Sequence, residues 1–176
     1  MSHKPPDYAD VEVLALLDGQ APTRLPEWAR EPAAVDAPFA VAVSFPGEHR
    51  DFVLEIVERL ADVIGHHRIF YDEWYEARLL GSGGDLKLQA FYREAELVVP
   101  FFSEHYTKPW CAMEWETIRG ILLTRRAEDA VIPVHLDDTE IPGWPAVSFG
   151  IKPKGRTAEQ IAGLILDVYR LRHPAR

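Results

Sequence analysis

Leu97-Val98-Val99-Pro100-Phe101-Phe102, followed at once by Ser103-Glu104-His105-Tyr106-Thr107-Lys108-Pro109-Trp110-Cys111-Ala112-Met113-Glu114, decides the fold. A short, unbroken apolar run reads as a strand buried on both faces. The helix that comes next holds Trp110 and Glu114 and continues through Ile118, Ile121 and Leu122 to about Arg126. Trp110 and Glu114 stand four residues apart, so one helix face carries both, with ring and carboxylate turned into the same space. An aromatic wall beside an acid, at the carboxyl end of a strand, is where α/β sheets place ligands.

The same alternation extends in both directions. Phe39-Ala40-Val41-Ala42-Val43-Ser44-Phe45 is a first strand, and Pro46-Gly47 turns the chain. Phe52, Ile56, Leu60 and Ile64, with Val53, Val57 and Val63, form an amphipathic helical stripe. Arg68-Ile69-Phe70-Tyr71-Asp72 is a second strand ending in Glu73-Trp74-Tyr75. Past Gly81-Ser82-Gly83-Gly84, Asp85 is placed to cap a helix running to about Glu94. Val131-Ile132-Pro133-Val134-His135-Leu136 is a fourth strand, and a shorter segment lies around residues 147–151. The last helix, capped near Thr157, uses Ile161, Leu164, Ile165, Val168 and Leu171. Each crossover is long enough for a right-handed parallel connection. The expected fold is α/β, a flavodoxin-like doubly wound parallel sheet in a single domain.

Residues 1–38 differ. They hold Pro5, Pro6, Pro22, Pro26, Pro32 and Pro38, and one apolar patch from Val11 to Leu17 stopped by Asp18-Gly19. They read as an arm with one short helix that docks on the domain or on a partner; residues 39–172 are the domain and 173–176 a tail. With 47% hydrophobic residues the chain builds a substantial core, which excludes wholesale disorder. A net charge of −9 argues against nucleic acid or an anionic membrane as the main partner. The single Cys111 excludes an internal disulfide framework and any CxxC motif. No apolar run approaches the ~20 residues that span a bilayer, and the N-terminus lacks signal-peptide features, so a cytoplasmic protein is expected.

These pieces, in this order, resemble a TIR (Toll/interleukin-1 receptor) domain over residues 39–171. Val43-Ser44-Phe45-Pro46-Gly47-Glu48-His49-Arg50 resembles the family's first box, a strand ending in a Ser-Phe pair before a Gly-Glu turn. Phe70-Tyr71-Asp72-Glu73-Trp74 with its glycine-containing loop resembles the second strand and mobile loop. Phe101-Phe102-Ser103-Glu104-His105-Tyr106 leading into Trp110-Cys111-Ala112-Met113-Glu114 resembles the third strand and the helix with the catalytic glutamate. Pro46 departs from the pattern, standing where many members have a basic residue. The stretch 79–84 is richer in glycine than usual, and the arm has no counterpart.

The resemblance implies an NAD glycohydrolase or cyclase of prokaryotic type, with NAD as substrate and no separate cofactor. Glu114 is then the essential acid, and Ser44, Phe45, Asp72, Trp74, Ser82 and Trp110 are the NAD-binding residues. It also implies self-association through TIR–TIR contacts, activity held off until subunits assemble, and a role as an anti-phage defence effector; a regulatory protein is a possible partner for the arm. The alternative is a non-enzymatic TIR adaptor. One carboxylate suffices for the enzyme: breaking the nicotinamide–ribose bond releases a neutral base, and what is needed is negative charge near an oxocarbenium-like ribose.

Without the resemblance, each of these residues has a plainer reading. Glu114 is a solvated first-turn glutamate favoured by the helix dipole. Trp110 is a core aromatic or the wall of a ribose pocket, and Asp72, Glu73 and Trp74 line a crevice or form a plain loop edge. Cys111 reads as a buried, inert thiol, because no histidine motif accompanies it. The glycines at 81–84 lack both GxGxxG spacing and a P-loop lysine-serine, which leaves a hinge. His66-His67, His105 and His135 do not share metal spacing, so no metal is expected.

Overall fold

The computed structural model describes residues 39–81, 83–124, 130–144 and 149–173. The expected arm, residues 1–38, lies outside them. Four parallel strands form one sheet: β1 Val41–Ser44, β2 Ile69–Phe70, β3 Leu97–Phe102 and β4 Val134–His135, in the order β2-β1-β3-β4. Val41 pairs with both Ile69 and Leu97, Ser44 with Pro100, and Phe101 with Val134. A parallel bridge from Val134 to Ile151 adds a fifth position beyond β4. Among the described residues, besides the single helical turn Glu76–Leu79, four longer helices cross between or follow the strands: α1 Arg50–Ile64, α2 Gly84–Glu94, α3 Pro109–Thr124 and α4 Ala158–Arg172.

Because successive strand residues point to opposite faces, each strand feeds two cores. Val41, Val43, Leu97, Val99 and Phe101 meet Val53, Ile56, Leu60, Ile161 and Ile165 of α1 and α4 on one side. Ala42, Phe70, Val98 and Phe102 meet Leu88, Tyr92, Cys111, Trp115 and Ile118 of α2 and α3 on the other. A sheet covered on both faces explains the continuous apolar runs of the strands. The structure is the expected doubly wound α/β fold.

Three local expectations change. β2 is two residues long because Arg68 closes the helical turn His66–Arg68 and Asp72 opens the turn Asp72–Tyr75, where its carboxylate accepts the Glu73 N–H at 2.8 Å. The fourth strand is broken at Pro133: Val131 makes only a bridge to Val98, and pairing resumes at Val134, since proline has no N–H for the ladder. Asp85 does not cap α2. Gly83 occupies that position at φ 87°, in the left-handed region open to glycine, and Asp85 sits in the first turn, where its charge faces the helix dipole. Of the segment 147–151, Ile151 makes the bridge described, while residues 147–148, like the expected run of the third helix past Thr124, lie outside the described residues. Among the described residues no helix is long and apolar enough to cross a membrane.

The cap at Thr157 stands as expected. Its hydroxyl accepts the Gln160 N–H at 3.3 Å and the Gln160 side chain accepts the Thr157 N–H at 3.0 Å, a reciprocal box that starts α4. Thr157→Ala should therefore cost about 1 kcal/mol, or roughly 2–4 °C in thermal melting. An unchanged melting temperature would show that tertiary packing alone fixes this helix end.

Candidate active site

The chain leaves β1 toward β2 on one side and returns to β3 on the other, so the carboxyl ends of β1 and β3 flank the sheet's switch point. Four segments converge there: the end of β1, the turn after β2, the turn Glu104–Thr107 after β3, and the start of α3. Glu114 belongs to the inward stripe of α3 with Cys111, Trp115, Ile118 and Ile121, which carries a carboxylate into the core. It is only 6% exposed, which removes the solvated-glutamate reading.

Its partner is Ser44, the last residue of β1, itself 1% exposed. The Ser44 hydroxyl donates to Glu114 Oε2 at 2.5 Å, the short distance expected of a charge-assisted O–H···O bond. The same Oγ lies 2.7 Å from the phenol of Tyr106, which is fully enclosed. Tyr92, on the inward face of α2, donates to the Val43 carbonyl at 3.2 Å.

Burial pushes the Glu114 carboxyl up to about 7, and the charge of Asp72 adds to the rise, while the hydrogen bond from Ser44 and the polar groups of Tyr92 and Trp110 pull it down. Burial likewise holds the Tyr92 and Tyr106 phenols well above their ordinary range, so both remain neutral donors. Cys111 is pushed up to about 12 by burial and by Glu114; at neutral pH it is a thiol, not a nucleophile.

Beside this group, Arg50 forks onto Asp72, with Nη1 on Oδ1 at 3.0 Å and Nη2 on Oδ2 at 3.1 Å. Its guanidinium lies 5.0 Å from the ring centre of Phe45, which stacks on Tyr71 at 5.3 Å with planes 7° apart. The cation at the end of β1 thus comes from Arg50 and not from position 46. Further out, the Ser103 hydroxyl meets His49 Nε2 at 3.0 Å; burial and the nearby His105 lower the His49 pKa, keeping its ring neutral.

Of the residues singled out from sequence, Ser44 and Glu114 come into direct contact, and Asp72 acts on Glu114 by its charge. Trp110 is 58% exposed at the start of α3, so it is no core aromatic, and its indole favours the ionised Glu114 carboxyl only weakly. Phe45 lies under Arg50, while Trp74 packs on Tyr71 and His66. Ser82 lies outside the described residues. Sequence reading gave no role to Tyr92, Tyr106, Arg50 or His49. A tyrosine on the inward face of a helix, as Tyr92 is on α2, needs a hydrogen-bond partner, and that was the available signal. Among the described residues no group of three histidine, cysteine or acidic side chains converges as a metal site.

Fold and site define a doubly wound α/β domain with one buried acid at the switch point. Residues 41–162 match the TIR domain family, and the chain belongs to it. It is also 33% identical, over 134 residues, to the 3' cyclic ADP-D-ribose synthase AaTIR of Aquimarina amphilecti; the match covers 72% of this chain and 38% of that protein. The chain therefore spans well under half the length of that relative. No solved structure matches it.

The folded chain holds the Glu114 proton more tightly than the unfolded chain, because its pKa is raised from 4.5 to about 7. Ionising Glu114 thus subtracts stability as pH climbs through that window, and none is lost below it. Glu114→Gln should melt above the wild type at about pH 8, by up to about 3 kcal/mol, and the gap should close near pH 4. Thermal melts at both pH values check this. A variant less stable than wild type at the higher pH would contradict the buried-acid assignment.

Proposed function

We propose that this domain cleaves NAD at the nicotinamide–ribose bond, with Glu114 as the essential acid. The supporting observation is a carboxylate at the switch point, the one buried acid among the described residues, whose pKa burial raises to about 7. In its ionised form it offers negative charge where the ribose becomes cationic, from a buried, low-dielectric position that strengthens the interaction. The bond electrons leave with the pyridinium nitrogen, giving neutral nicotinamide, so no acid need protonate the leaving group. Water then attacks the ribose carbon to give ADP-ribose, or a hydroxyl of the adenosine half attacks to give a cyclic ADP-ribose. In either case the nucleophile's proton is released. The identity to a 3' cyclic ADP-D-ribose synthase supports the cyclising outcome.

The exposed Trp110 ring is suited to wall the ribose, and Asp72, with Phe45 beneath Arg50, to border it. Trp74 belongs to the turn that would close over the site when copies associate. TIR–TIR assembly through the segment from Trp74 to Gly84, with activity switched on by it, completes the proposal. Gly81 and Gly83, at φ 100° and 87°, give that segment backbone shapes other residues resist. The setting we infer is a cytoplasmic anti-phage effector, with the arm as the seat of a regulatory partner.

Concentrated protein incubated with NAD should release nicotinamide, followed by chromatography, and Glu114→Gln should lower the rate by about 10²–10³. Since the ionised carboxylate is the working form, the rate should rise with pH to a midpoint near 7 and level off above it. Full activity in Glu114→Gln would sink the assignment. No turnover in a folded, associated protein would favour an adaptor acting through TIR–TIR contact alone.

A further inference from the structure

The Ser44 hydroxyl stands between two oxygens, 2.5 Å from Glu114 Oε2 and 2.7 Å from the Tyr106 phenol. A serine hydroxyl has one proton, and an ionised carboxylate can only accept. The Ser44 proton therefore points at Glu114, and the contact to Tyr106 must be filled by the phenol's own proton. While Glu114 is ionised the direction is forced: Tyr106 donates to Ser44, and Ser44 donates to Glu114. Donors linked in this way polarise one another and tighten the terminal bond.

The far end of the chain is held firmly. Tyr106 lies on the turn Glu104–Thr107, where its N–H meets the Ser103 carbonyl at 2.9 Å and the Ser103 hydroxyl accepts the His105 N–H at 3.3 Å. Phe102 packs edge-on against the Tyr106 ring at 5.1 Å. Ser44 and Tyr106 are each 1% exposed, so neither hydroxyl has a proton or an open face for a ligand.

We propose that Tyr106 and Ser44 form a one-way hydrogen-bond chain that aims the Glu114 carboxylate, and that neither hydroxyl contacts the substrate. They are positioning residues. This rests on Glu114 being the acid of the proposed reaction, and it departs from the expectation that Ser44 binds NAD.

The other groups facing Glu114 are Asp72 from the turn after β2, Tyr92 from α2, and Trp110 and Cys111 from its own helix. Removing a hydroxyl at position 44 or 106 leaves all of these in place, so a change in Glu114 titration reports the chain itself. The test is an NMR titration of the full chain carrying glutamate labelled with ¹³C at the side-chain carboxyl, with the Glu114 signal assigned by its loss in Glu114→Gln. Ser44→Ala should raise the Glu114 midpoint by about one pH unit, and Tyr106→Phe should move it the same way by less. The pH midpoint of nicotinamide release should follow in both variants, with KM for NAD held.

A Glu114 signal unmoved in both variants overturns the proposal. So does Ser44→Ala raising KM several-fold with the midpoint fixed, which would make Ser44 a substrate contact. The carboxyl is read directly, so the two ideas part cleanly. A shifted signal in a protein with no turnover supports the chain and removes the NAD reading; an unshifted signal in an active protein does the reverse.

Discussion

A carboxylate buried inside an apolar helix stripe is the constraint around which this domain is arranged. Position 114 lies between Cys111 and Ile118 on a face where leucine or isoleucine would pack without penalty. The chain instead places there an acid whose ionisation is disfavoured by burial, with Asp72 adding to the cost. The compensation is local and specific. Ser44 supplies a short hydrogen bond, Tyr106 backs Ser44, and Arg50 forks onto Asp72 and offsets its charge. The two apolar cores on either side of the sheet give the fold enough stability to carry the burden.

The topology explains why these residues meet. Ser44 and Glu114 are 70 positions apart, and Ser44 and Tyr106 are 62 apart. Only a sheet in which β1 lies between β2 and β3 brings the end of β1, the turn after β3 and the start of α3 to one point. The register that pairs Ser44 with Pro100 then sets the height at which the next turn delivers Tyr106. Such precision comes from rigid strands and short helical turns, not from a long flexible loop.

Much of the fold was legible in the sequence because its signals are local. Apolar runs such as Leu97-Val98-Val99, the α1 stripe of Ile56 and Leu60, and the Thr157–Gln160 box each fix their own element. What could not be read depends on neighbours or on one atom. Pro133 cuts the fourth strand through a missing N–H, and Gly83 takes the cap expected of Asp85 because its backbone reaches a left-handed turn. At the site, the four-residue spacing of Trp110 and Glu114 gave no hint that one would be exposed and the other buried. Tyr106 carried no local signal of a role, and Tyr92 only that of an inward-facing tyrosine. Only the three-dimensional structure shows where their hydroxyls go.

The central claim is that the ribose next to nicotinamide sits against Glu114. A crystal structure with carba-NAD, whose ribose carbon cannot leave nicotinamide, tests it most directly. The account predicts a hydroxyl of that ribose within about 3.2 Å of a Glu114 oxygen and the Trp110 ring against the sugar. Carba-NAD bound elsewhere, with Glu114 still enclosed and touching only Ser44, would contradict it.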